Sequence, residues 1–155
     1  MMNNEAYKTR SDLYELELKR TEAIESKAAN VATFAGAILA LEYTILSDFY
    51  ENFSNFGAVY KLIAISTGFF IAAIVLGMIT IVGKKRSAAE TLGIIEGCVN
   101  DNEGLAKACP KLSSDIKEIS EKNDDKLKYF GGSISSFFLG VVSAGILIIG
   151  IVISL

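Results

Sequence analysis

The chain reads as an all-α membrane protein with three transmembrane helices, and three observations carry that reading. Residues 62–82 hold twenty-one consecutive residues without a charge and residues 129–155 hold twenty-seven, while residues 28–47 are interrupted by one acid, Glu42. At helical rise, about 20 apolar residues cross the roughly 30 Å hydrocarbon core of a bilayer. The composition agrees, with 51% hydrophobic residues and a mean hydropathy of +0.39, and the apolar residues come in blocks. The spans are expected to carry helical cytoplasmic extensions and to assemble as a homo-oligomeric bundle.

The same inventory narrows the function. Histidine is absent and cysteine occurs only at Cys98 and Cys109, so one chain cannot assemble a zinc site or a histidine-based catalytic set. No enzymatic activity and no cofactor are expected. Fifteen basic and eighteen acidic residues leave a formal charge of -3, which argues against a dedicated nucleic-acid binder while allowing local basic patches.

Residues 1–27 are predicted to form an N-terminal helix on the cytoplasmic side. No apolar run there precedes a small-residue cleavage site, so the segment does not read as a signal peptide. Leu13, Leu16, Arg20, Ala23, Ile24 and Lys27 recur at helical spacing, a narrow stripe suited to helix pairing. No proline or glycine separates this helix from the first span, residues 28–47, so it continues into the membrane.

In the first span, small residues recur every fourth position at Ala28, Ala32, Gly36 and Ala40. Such a face lets helices approach closely, either within one chain or between subunits around a pore. Gly68 and Ala72 in the second span, and Gly140 and Ala144 in the third, repeat the pattern.

Glu42 stands about two turns inside the outer end, where a carboxylate in lipid is costly and needs water, a partner or the bundle interior. Val31, Ala35, Ile38 and Ile45 share its helix face. Around a symmetry axis these residues make a hydrophobic constriction capped by a ring of acids, a cation-passing gate. The competing reading is a single acid snorkelling to the interface and bonded to Thr44 or Tyr60.

Residues 48–61 form the outer loop, which carries no basic residue before Lys61 and presents Phe49, Tyr50, Phe53, Phe56 and Tyr60 as an interfacial belt. The second span, 62–82, is followed by Lys84, Lys85 and Arg86, a flank that stays cytoplasmic. Residues 83–128 are predicted to be a cytoplasmic helical hairpin. Its first arm carries Leu92, Ile95, Cys98 and Val99, and residues 101–104 and Pro110 interrupt it. Its second arm starts at the capping residues Ser113, Ser114 and Asp115, with Ile116, Ile119 and Leu127 inward. So short a segment buries little alone, so the N-terminal helix and neighbouring copies are expected to cover it. The two cysteines read as small buried hydrophobes. The third span, 129–155, opens on Gly131 and Gly132, which offer a hinge. Five basic residues precede the first span and nine lie between the second and third, which places the N-terminus inside and the C-terminus outside.

The run RTEAIESKAANVATFAGAILAL, residues 20–41, follows a long charged helix and precedes a short outer loop, a second span ending in basic residues and further helices. In this layout, over roughly residues 5–125, the chain resembles the SLATT-type small membrane effectors of prokaryotic anti-phage defence; the third span departs from their usual two. The resemblance implies a pore in the prokaryotic inner membrane, with the bilayer and other copies of the chain as partners. It further implies a nucleotide or oligonucleotide signal made by a partner nucleotidyltransferase. The cytoplasmic basic groups able to meet phosphates are Arg10, Lys19, Arg20, Lys84, Lys85 and Arg86, although orientation signals and solvated helix faces account for them more simply, without any ligand. Two other classes stay open, a holin-like lysis protein of phage and a non-catalytic subunit or scaffold of a larger membrane complex.

Overall fold

The computed structural model describes the backbone of residues 2–53, 57–82 and 102–154, and the side chains of 8–45, 47, 61–82 and 109–150. Three helices account for all of it: α1 (Met2–Phe53, 52 residues), α2 (Gly57–Val82, 26 residues) and α3 (Asn102–Ser154, 53 residues). All three are long and apolar enough to cross a membrane, over Lys8–Ile45, Lys61–Val82 and Cys109–Gly150. At 1.5 Å per residue, α1 and α3 are rods of about 80 Å, twice the length of α2.

α1 and α3 run parallel. Their hydrogen-bonded partners keep a separation of 99 to 106 residues, from Arg10 with Cys109 to Lys126 with Glu25. α2 runs opposite to both, with Glu42 facing Ser66 and Ala73 facing Ser133. The charged halves of α1 and α3 therefore pair as a two-helix stalk, and their apolar halves close around α2 as a three-helix bundle.

One repeat organises both parts. On α3 the inward positions are Leu112, Ile116, Ile119, Asn123, Lys126, Phe130, Ser133, Phe137, Gly140, Ala144 and Leu147, an alternation of threes and fours that averages 3.5 residues. On α2, Ser66, Phe70, Ala73, Gly77 and Thr80 are all buried at the same spacing. On α1, Tyr14, Thr21, Ala28, Ala35 and Glu42 stand seven apart. A 3.5-residue repeat keeps one seam facing its partners along the whole rod, so a single face of α1 runs from the stalk tip to Glu42.

This seam corrects the stripe expected on the first helix. Of that stripe Ile24 is buried as expected, but Leu13 and Leu16 are 48% and 61% exposed, and the other buried positions, Tyr14 and Ala28, lie outside it. The strongest apolar residues do not mark the seam because its middle is polar, and Asn123 satisfies those polar groups. Ile116 and Ile119 pack inward with Tyr14, Leu18 and Leu112, whereas Leu127 is exposed.

α3 also differs from the expected second arm. It begins at Asn102 and passes through Pro110, so Ser113, Ser114 and Asp115 lie within a helix and do not start one. Leu112 is buried against Tyr14 two residues beyond the proline, and that packing outweighs the local cost. The helix is likewise continuous across Gly131 and Gly132. A Cβ on Gly132 would lie 3.2 Å from Leu76 Cδ1, so its smallness serves close packing and not a hinge. The first arm at 83–101, with Lys84, Lys85, Arg86 and Cys98, and the side chains of the aromatic belt lie outside the described residues.

The bundle exposes what a water-soluble fold would bury, including Phe34, Leu41, Met78, Phe138 and Ile149. Hydroxyls on that outer surface close back on their own helices: Thr33, Thr44 and Ser143 donate to the carbonyls of Ala29, Ala40 and Leu139 at 2.8–3.0 Å. An apolar solvent requires this, since it satisfies no donor left over.

Candidate functional site

Two polar layers interrupt the apolar seam. The first lies in the stalk, around Asn123, which is buried. Thr21 Oγ1 donates to Asn123 Oδ1 at 2.8 Å, and Asn123 Nδ2 donates to the Glu17 carboxylate at 2.8 Å and to the Glu17 carbonyl at 3.1 Å. Arg20 bridges the Glu17 and Asp124 carboxylates, and Lys126 pairs with Glu25 one turn on. A buried amide with every polar atom matched holds two parallel helices in one register, because sliding by a turn would orphan all of its partners. At the tip, Arg10 donates to the Cys109 carbonyl at 2.9 Å. At the base, Asp125 accepts from Lys128 at 2.9 Å and raises the lysine pKa, leaving an ammonium as the last charge before the uncharged run.

The second layer lies in the bundle. Ser66 is fully buried and its hydroxyl donates to Glu42 Oε1 at 2.5 Å, with the Gly140 carbonyl 3.3 Å away. Glu42 Oε2 is also buried and has no hydrogen-bond partner among the described residues. Ser66 stands five residues beyond Lys61, about 7.5 Å along the helix, so this centre lies within the uncharged run 62–82. It joins one residue from each helix.

Between the two layers the seam is packed with small and aromatic residues. Gly77 admits Ala28 and Ala32 of α1 and Ser133 of α3, and Ser133 Oγ donates to the Ala73 carbonyl at 2.7 Å. Phe70 fills the space among Ala35, Ala73, Phe137 and Ala144. Ser133→Ala should lower bundle stability by about 1 kcal/mol, the typical value of an interhelical hydrogen bond in an apolar medium. Thermal unfolding in detergent micelles checks this, and a melting point matching the parent protein's would mean that the bond contributes nothing.

Of the residues expected at a gate, Ala35 and Glu42 fall on the seam and Ile38 packs against it, while Val31 lies beside it and Ile45 is turned outward. Ala35 is buried, Val31, Ile38 and Glu42 are half-buried, and Ile45 is 40% exposed. Within one chain this face is turned towards α2 and α3. The small residues divide: Ala32, Gly140 and Ala144 touch neighbouring helices and Ala72 is half-buried, while Gly36 and Gly68 would meet nothing with an added Cβ and Ala40 is exposed. Arg10 and Arg20 are engaged within the stalk, and Lys19 is exposed. No family model, curated protein or solved structure matches the chain. Its own geometry must therefore carry any functional reading.

Sequence reasoning missed Ser66, Thr21 and Asn123. The first could have been found by setting the first two spans antiparallel, which brings Glu42 and Ser66, 24 residues apart, level with each other. Thr44 instead bonds to Ala40.

Proposed function

We propose that this chain is the subunit of a homo-oligomeric, signal-controlled channel in a prokaryotic inner membrane, a defence effector of the kind its SLATT-like layout implies. In this reading the N-terminus and stalk are cytoplasmic and the C-terminus is outside, which the excess of basic residues before the first span and between the second and third supports. One observation carries the reading. α1 and α3 each run unbroken from the stalk into the bundle, on a single seam that links the Asn123 layer to Glu42. A change in stalk pairing then turns the same rods inside the membrane, the coupling a gated channel needs. With its Glu42 face turned into the subunit, the described fold corresponds to the closed form. Opening brings Val31, Ala35, Ile38, Glu42 and Ile45 towards the shared axis. A nucleotide or oligonucleotide acts on the cytoplasmic collar, where Lys19 and the triplet Lys84, Lys85 and Arg86 recur around the axis and bind a polyanion together.

The test is ion leakage from vesicles containing the purified protein, with and without a panel of cyclic oligonucleotides. A disulfide lock between Thr21→Cys and Asn123→Cys, in a background carrying Cys98→Ser and Cys109→Ser, should suppress leakage when oxidised and release it when reduced. Equal leakage in both states would remove the stalk from gating. Leakage needing no signal favours the holin reading, and none in any state favours a scaffold.

A further inference from the structure

The centre around Glu42 is short of positive charge. Ser66 has one hydroxyl hydrogen, and it faces two acceptors, Glu42 Oε1 at 2.5 Å and the Gly140 carbonyl at 3.3 Å. A further acceptor, Glu42 Oε2, is buried beside them and bonds to none of the described residues. The nearest charged side chain along α2 is Lys61, which is exposed, and on α3 it is Lys128, twelve residues from Gly140; α1 has no other charge between Lys27 and residue 47. None of these supplies a counter-charge, and a carboxylate left so in an apolar medium is costly.

We propose that Glu42, Ser66 and the Gly140 carbonyl form a binding site for one small monovalent cation, a proton or Na⁺, held between the three helices. Oxygen donors of this kind suit a hard cation. As a proton on Oε1, the ligand completes a chain: the acid O–H donates to Ser66 Oγ, the serine's own hydrogen is freed for the Gly140 carbonyl, and Oε2 remains as an uncharged carbonyl oxygen, which costs far less to bury than a carboxylate. As Na⁺, it sits against Oε2 while Ser66 continues to donate to Oε1. Either occupant ties α1, α2 and α3 together at one point, so the site senses the ion as well as holding it. Its existence does not depend on the channel reading, because a scaffold with this core would bind the same ion.

The experiment measures the thermal stability of the full-length protein in detergent micelles across pH and in Na⁺, K⁺ or choline chloride. Acid or Na⁺ should raise the melting temperature of the parent protein. Glu42→Gln, whose amide supplies the missing hydrogens, should fold at least as stably and lose that response. Reaction with the apolar reagent dicyclohexylcarbodiimide, located by mass spectrometry, separates the occupants. Labelling of Glu42 that falls with rising pH and ignores Na⁺ identifies a proton, whereas labelling suppressed by Na⁺ but not by choline identifies Na⁺. A parent protein indifferent to both ions, or a Glu42 that reacts no differently from the exposed Glu22, would overturn the site. These readouts require no ion flux, so a protein that binds the ion without leaking defeats only the channel.

Discussion

Gly140→Val should separate α3 from α2. A Cβ at this position would lie 2.8 Å from Phe70 Cε1 and 3.0 Å from Cδ1 and Cζ. The ring cannot retreat, because it is fully buried and stands edge-to-face on Phe137, centroids 6.0 Å apart, with Ala35 and Ala73 around it. The helix must therefore move, and its carbonyl leaves Ser66 as it does. Overpacking of this kind costs about 3 kcal/mol, and alanine at the same position costs less. Thermal unfolding in micelles should show the graded loss, and Phe70→Leu should restore much of it. Gly145→Ala is the control, since a Cβ there meets nothing within 4 Å; it should be neutral or stabilise by up to about 1 kcal/mol through helix propensity. A Gly140→Val protein that melts like its parent would mean that α2 and α3 do not meet at this point.

Asn123→Asp should open the stalk while sparing the bundle. The change keeps the shape and removes both donated bonds to Glu17, one to its carboxylate at 2.8 Å and one to its carbonyl. It also sets two carboxylates face to face in a buried seam. The loss of a hydrogen bond to a charged group, with repulsion added, amounts to about 3 kcal/mol, reduced where Arg20 swings between the acids. Hydrogen exchange should quicken at residues 14–24 and 112–126 and stay slow at 66–80. Acidification should restore protection, because the new carboxyl regains a hydrogen to donate: its folded pKa lies above the unfolded one, so stability is present at low pH and lost as pH rises. Unchanged exchange would mean that the polar layer does not set the register.

Much of the fold was legible in the residues, but the phase of the helices was not. The uncharged runs at 62–82 and 129–155 mark their spans by length and composition alone, since nothing but lipid or a large core accepts them. Leu13 and Leu16 pointed to the wrong face of α1, because hydrophobicity locates a seam only when the seam is apolar. Here Glu17, Thr21 and Asn123 occupy it, which is affordable because each finds a partner on the other rod. Pro110 likewise looked like a stop, and the packing of Leu112 against Tyr14 carries α3 past it. The small-residue stripes were visible, yet Gly140 and Gly68 cannot be told apart without knowing which helix face meets Phe70.

By itself the sequence determined that the chain holds, among the described residues, three helices able to cross a membrane, because the transfer of apolar side chains depends on their amount and run length more than on their neighbours. Tertiary structure alone decided which acid meets which hydroxyl, and that one continuous face joins the stalk to the bundle. Hydrogen bonds and close packing depend on distances held to within a few tenths of an ångström between residues 24 to 106 places apart in the chain, and no local pattern records those distances.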